Sequence, residues 1–329
     1  MKAEVEIQHN KGLYLPELDL WLDAERKVDL SVVSHAHADH IVNHRKIIAT
    51  PETGKLFALR KGEVESELLQ YGEQLNHRGA TIELFPAGHV LGSSQVLVEY
   101  KGTKVVYTGD FKLRESLTCT CAEVRECDIL IMESTYGLPE YTFPDVAETH
   151  QKIVDWVGET KDGGEVPVVM AYSLGKAQEA MKLLGNAGFE LSVHKAIYEI
   201  AEIYEEFGVK FGAYDKWRPG STGAGVVLVP PHLSRWKPVD AIKNRKKLLL
   251  TGWALDRSTR YRYNADEVLP LSDHADFTDL MAYAKGAKPK KVYVVHGFPE
   301  FVDYLREEGF DAEALGEEAS FVKQHRRKK

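Results

Sequence analysis

The chain has 329 residues, 43% hydrophobic and 28% charged, with a formal net charge of −8. That content supports one large domain or two moderate ones with a substantial core, and no stretch approaches the roughly 18 apolar residues of a membrane-spanning helix. The acidic balance excludes a general polycation that coats nucleic acid.

The N-terminus, MKAEVEIQHNKG, has no apolar run of the secretory kind, so a soluble, cytoplasmic protein without membrane contacts is expected. The three cysteines, Cys119, Cys121 and Cys127, are too few for a disulfide framework and fit a reducing compartment. Their closeness admits a small metal site, but no fourth ligand is adjacent, and packing is the better reading. Basic runs lie at 243–247, 257–262, 288–291 and 323–329; each suits a solvated face as readily as a phosphate track.

In chain order, the apolar run Leu30-Ser31-Val32-Val33 leads into SHAHADH at 34–40. His35 and His37 are two residues apart at a strand end, so their side chains project to one side and can share an ion. Asp39 and His40 follow the turn and can face a second ion. His44, four residues on, reads as support on a following helix.

Runs rich in Val, Ile, Leu and Tyr predict strands over 81–85, 95–100, 104–108 and 128–132. Tyr100-Lys101-Gly102-Thr103 predicts a hairpin turn between the second and third. Two of these runs end in Gly and then a ligand type: AGH at His89 and TGD at Asp110. A third such end comes late, where VVHG carries His296. Glycine lets the backbone approach such a site closely.

The expected cage therefore places His35, His37 and His89 on one divalent cation. Asp39, His40 and His296 take the other, and Asp110 bridges them. Imidazoles with a few carboxylates suit zinc above all, with manganese or iron as alternatives. Two such ions about 3.5–4 Å apart activate water and clamp the attacking and leaving oxygens.

From about 144 the pattern changes to helices over 145–156, 176–184 and 197–207, alternating with strands over 166–171, 226–229 and 248–251. Helix 276–284, strand 291–295 and helix 299–308 close the chain. This order suits an α/β sandwich with an inserted α/β unit. Tyr172-Ser173-Leu174-Gly175-Lys176 lies between a strand and a helix. Its amides, Ser173 and Lys176 would seat a phosphate, although a simple N-cap explains Ser173 nearly as well. Trp253 and RSTRYRY at 257–263 interleave cations and aromatics, which suits phosphate contact and base stacking or ordinary packing.

SHAHADH, AGH, TGD and Asp23 in WLDAE resemble the metallo-β-lactamase superfamily. MESTYG with Glu133, LSDHAD with His274 and VVHG with His296 resemble motifs of its β-CASP nuclease branch. FPAGHVLGSSQV, STYGLPEYTFP, AYSLGKAQEA, LSDHADFTDL and VVHGFPEFVDYL are similar, over essentially the whole chain, to the short ligase-associated exonuclease group.

The resemblance implies an αββα sandwich, with residues 1–160 and 256–329 forming the metallo-β-lactamase domain and 161–255 the β-CASP insertion. It implies a two-metal DNA exonuclease acting on single-stranded ends, with a DNA ligase or helicase as partner. His296 is the residue found in RNA-processing relatives, so an RNA 3′-end processing nuclease is the alternative, and a non-catalytic nucleic-acid scaffold is a further one. His274 would hold the scissile phosphate and donate a proton, or only hydrogen-bond. Glu133 would orient His274 or water, or serve only the fold. Asp39 counts among the catalytic residues as well as the ligands, and Asp23 reads as a buttress behind the histidines. The expected substrate contacts are Ser173, Gly175, Lys176 and Ser272.

Overall fold

The structure, a computed structural model, describes residues 5–220 and 225–316; the basic run 323–329 lies outside them. The chain divides into two compact units. One takes the chain up to Arg114, Cys119–Thr142 and the part from His274; the other takes Glu115–Thr118 and Phe143–Asp273.

The first unit holds two sheets. One orders its strands Gln8–His9, Leu13–Leu15, Leu20–Leu22, Leu30–Val32, Lys46–Ala49 and Glu65–Leu68. The other orders them Ala312–Ala314, Lys291–Gly297, Ile129–Ser134, Thr103–Tyr107, Ser94–Tyr100, Ala80–Pro86 and Gln74–His77. Alternation along the strands decides the layers. Leu84, Val98, Val105 and Ile131 pack against Leu15, Leu22, Val32 and Ile48 of the first sheet. Their neighbours Phe85, Val106, Leu130 and Met132 point the other way, onto Leu280, Tyr283, Phe301 and Leu305 of helices Phe277–Ala287 and Phe301–Glu307. On the far side of the first sheet, Val33, Ile47 and Ala49 cover Phe57 of helix Pro51–Lys61. Helix, sheet, sheet and helix form the αββα sandwich expected from the sequence.

The second unit is built on a parallel sheet in the order Tyr214–Lys216, Leu191–Val193, Val226–Val229, Val166–Met170, Arg245–Leu250, Glu267–Leu269. Its central strands are apolar on both faces, as a covered parallel sheet requires: Val169 and Leu248 face one core and Val168 and Leu249 the other. Helices Val146–Asp162, Lys176–Asn186 and Lys195–Glu206 bury Ile153, Val157, Ala180, Leu184, Ile197 and Ala201 in the first of these.

The boundaries differ from those expected at 161 and 255. Ile153 and Val157 belong to the second core, and Glu267–Leu269 pairs with Arg245–Leu250. Packing thus draws 143–160 and 256–273 into the second unit. Where the chain leaves and re-enters the first unit, the Phe277 amide donates to the Tyr141 carbonyl at 3.2 Å.

Candidate metal centre

The polar residues of the site stand at strand ends of the first unit. His35 and His37 follow Leu30–Val32, His89 follows Ala80–Pro86, and Asp110 follows Thr103–Tyr107. The Ser94 amide donates to the Ser34 carbonyl at 2.8 Å, which ties the histidine turn of one sheet to the other sheet. Gly88 and Gly109 permit this closeness. Both have positive φ, and a Cβ at Gly109 would meet the Ser34 side chain at 2.8 Å while one at Gly88 would meet the Lys112 carbonyl at 2.3 Å. A side chain there would be strained in backbone and in space.

Three imidazole nitrogens converge on one carboxylate oxygen. From Asp110 Oδ2, His35 Nε2 and His40 Nε2 are each 3.4 Å away and His89 Nε2 is 3.7 Å away. His37 Nδ1 lies 2.9 Å from His89 Nε2. Donors about 2.1 Å from a tetrahedral ion stand roughly 3.4 Å apart, so His35, His37, His89 and Asp110 fit one zinc-like cation. One atom from each of these four lies within 4.8 Å of the others. His35 Nε2 is buried and makes no hydrogen bond, an expensive omission that a metal would remove.

Hydrogen bonds behind the donors set their aim. Asp23 Oδ1 accepts from the Ser34 amide at 2.7 Å. Its Oδ2 accepts from Ser34 Oγ at 2.5 Å and Tyr107 Oη at 2.9 Å and meets His40 Nδ1 at 2.8 Å. Ser34 Oγ is also 2.9 Å from His35 Nδ1. These contacts occupy the Nδ1 atoms of His35 and His40 and leave Nε2 for the cation. Asp23 is thus the buttress expected from the sequence. Ser34 and Tyr107, which share it, carried no sequence signal beyond ordinary turn and strand positions.

Burial and the neighbouring His40 and His89 push His35 well below its ordinary value, toward the neutral, ligating form. Burial alone would do the same to His40, but Asp110 and Asp23 hold it well above. Burial would raise the Asp110 carboxyl; the imidazoles of His40, His274 and His35 keep it well below the usual range and ionised.

Three sequence expectations meet different geometry. The His40 amide donates to the His37 carbonyl at 3.1 Å, closing a tight turn whose tip carries Asp39 outward. Asp39 is exposed and lies in none of the ligand groups. His296 is also exposed, with its ring centroid 5.4 Å from that of His40. The pairing of Ile129–Ser134 with Lys291–Gly297 slips so that Glu133 faces Val295 and Ser134 faces Gly297. His296 is the extra residue of this bulge, at φ 49°, a device that re-aims a side chain. His44 is not on a helix: Ile41–His44 is irregular, and His44 Nδ1 accepts from the Val28 amide at 3.4 Å.

Residues 261–319 match the family described as the Zn-dependent metallo-hydrolase RNA specificity domain. A protein named probable DNA ligase from Opitutus terrae is 37% identical over 95% of this chain, which spans only 31% of that relative's length. An RNase J-like protein from Methanocaldococcus jannaschii is 25% identical over 89% of each chain. A crystal structure of a protein of unknown function from Enterococcus faecalis V583 shares the fold, with a TM-score of 0.59 at 15% identity over 88% of this chain and 80% of that one. The chain belongs to the β-CASP branch of the metallo-β-lactamase superfamily.

Two residues of the β-CASP-like motifs meet beside the candidate metal donors. His274 Nδ1 lies 3.1 and 3.0 Å from the two carboxylate oxygens of Glu133, and the rings of His89 and His274 are 4.5 Å apart. Glu133 is fully buried and also accepts from the Phe111 amide at 2.8 Å, so it fixes both His274 and the backbone beside Asp110.

The expected phosphate seat in the β-CASP insertion is already satisfied internally. The Gly175 amide donates to Gln178 Oε1 at 2.9 Å, and Gln178 Nε2 donates to the Ser173 carbonyl at 3.0 Å. Lys176 is buried and paired with Asp273, and Ser272 is buried. The sequence reading missed the Asp273 partner, 97 residues from Lys176, because nothing local announces such a pair. The cysteines form no disulfide and belong to no ligand group among the described residues. No helix among those residues is long and apolar enough to cross a membrane.

Proposed function

We propose that this chain is a metal-dependent nuclease that hydrolyses phosphodiester bonds, with single-stranded DNA ends as its leading substrate. The observation that carries the reading is the four-donor group His35, His37, His89 and Asp110 with the Glu133–His274 pair beside it. A non-catalytic scaffold would have no need of that pair. Divalent cations, zinc or manganese, would supply Lewis acidity and lower the pKa of water. His35, His37, His89 and Asp110 would hold one, and His40 with His296 would offer donors for a second.

The protein's own groups do the rest. Glu133 accepts from His274 Nδ1–H and so aims the ring, and His274 Nε2 would meet the scissile phosphate. A proton on Nε2 can pass to the departing sugar oxygen; one such positioned acid contributes about 10²–10⁴-fold. Glu133 is a positioning residue, and Asp23 acts through His40 and Ser34 rather than on the substrate.

The relative named probable DNA ligase, aligned over 95% of this chain, supports DNA as substrate and a ligase as partner. The RNase J-like relative and the RNA-specificity description support RNA as the second reading. The deciding experiment offers matched labelled DNA and RNA single strands to the purified protein with zinc or manganese. Metal-dependent cutting of DNA ahead of RNA is expected. Preferential RNA cutting would reverse the substrate, and no cutting of either would remove the nuclease reading.

A further inference from the structure

Tyr261 is 79% exposed, the most of any large apolar or aromatic side chain among the described residues. Single exposed rings are ordinary on protein surfaces; the company of this one is not. It sits on the short helix Ser258–Arg262, in the stretch Arg257–Tyr263 that has three arginines and no acidic residue. Arg260 is committed to the fold through the Ala265 and Asp266 carbonyls. Arg257 and Arg262 are exposed and make no ion pair among the described residues.

The nearby carboxylates are occupied. Asp256 accepts from the Ser258 amide at 2.8 Å and the Ser258 hydroxyl at 2.9 Å, and Asp266 accepts from the Lys247 amide at 2.8 Å. Arg235 Nη2 donates to the Tyr261 carbonyl at 3.4 Å, which brings a further guanidinium and its neighbour, the exposed Trp236, to the same helix. On a chain with net charge −8, this is a local cationic patch around a bare ring.

We propose that Tyr261 is a stacking platform for a base of single-stranded nucleic acid, with Arg257, Arg262 and Arg235 holding the adjoining phosphates. Aromatic faces take any base, and arginines track the backbone between stacked positions. Occupation by a strand would cover a ring that the fold leaves in water. The inference deepens the nuclease reading and rests on it for the class of ligand.

The test uses the full chain carrying Asp110→Asn, so that substrate stays uncut, with short fluorescein-labelled oligothymidylate or oligouridylate followed by anisotropy. Adding Tyr261→Ala is expected to weaken binding by about 5- to 150-fold, the span that loss of one stacked base implies. Tyr261→Phe should bind like the Asp110→Asn parent, and Tyr261→Leu like the alanine variant. Arg262→Gln should lower the slope of log K against log salt by about 0.7. Loss on either strand supports the platform, and the strand that loses more identifies the preferred sugar.

Unchanged binding by Tyr261→Ala overturns the proposal while leaving the nuclease reading intact. A parent that binds neither strand removes both. An unfolding midpoint lowered by Tyr261→Ala would show that the ring serves packing, and would overturn the platform as well.

Discussion

His35 and His89 meet Asp110 within the protein, with His37 at their edge, whereas Asp39 and His296 stand at its surface. The interior donors are aimed in advance. Ser34 holds His35, and Asp23 holds His40 and Ser34, so a cation entering there meets atoms already at ligand spacing. The exterior donors have no such frame. Asp39 is carried outward by the closure of its turn, and His296 depends on a bulge. Preorganisation therefore separates the two halves of the centre more sharply than ligand chemistry does.

Metal removal tests the comparison most severely. Dialysis against a strong chelator should abolish cleavage, and added zinc or manganese should restore it; a metal-free protein that still cuts would refute the hydrolytic reading. Glu133→Gln comes next. It should lower kcat by about 10²–10⁴-fold, leave bound metal measured by atomic absorption unchanged, and alter the pH–rate profile. A fall in rate with an unaltered profile would mean that Glu133 serves the fold alone.

Asp23→Ala removes the buttress behind the interior donors and should weaken zinc affinity by about 10–100-fold, read by competition with a chromophoric chelator. Asp39→Ala should cost less than Asp23→Ala in the same titration, below about tenfold. The reverse order would show that the exposed turn, rather than the hydrogen-bonded interior, sets the affinity.

The sandwich and the convergence of the interior donors were legible because their signals are local. Apolar runs ending in Gly and a ligand type gave His89 and Asp110, and SHAHADH gave His35, His37 and His40. The exposure of Asp39 was not legible, because sequence spacing does not reveal the turn that the hydrogen bond from the His40 amide to the His37 carbonyl closes. The bulge at His296 was invisible because the register of Lys291–Gly297 is set by a partner strand distant in sequence. The compact units divide at other positions than 161 and 255 for a related reason. Helix Val146–Asp162 has the same periodicity whichever core it covers, and only packing on the sheet beyond it decides. The Asp273 partner of Lys176 was not legible because a buried carboxylate far along the chain leaves no trace near it.

The hydrogen bond between Phe277 and Tyr141 bears on how such a molecule is put together. For the long excursion, the host sandwich lets its chain out and takes it back close together, so a short turn from Thr142 to His274 could bridge the gap at little loop-closure cost. Only Glu115–Thr118, whose Ser116 and Thr118 hydroxyls lean on Glu179, would be stranded. The host fold thus need not be rebuilt for a different module to be fitted.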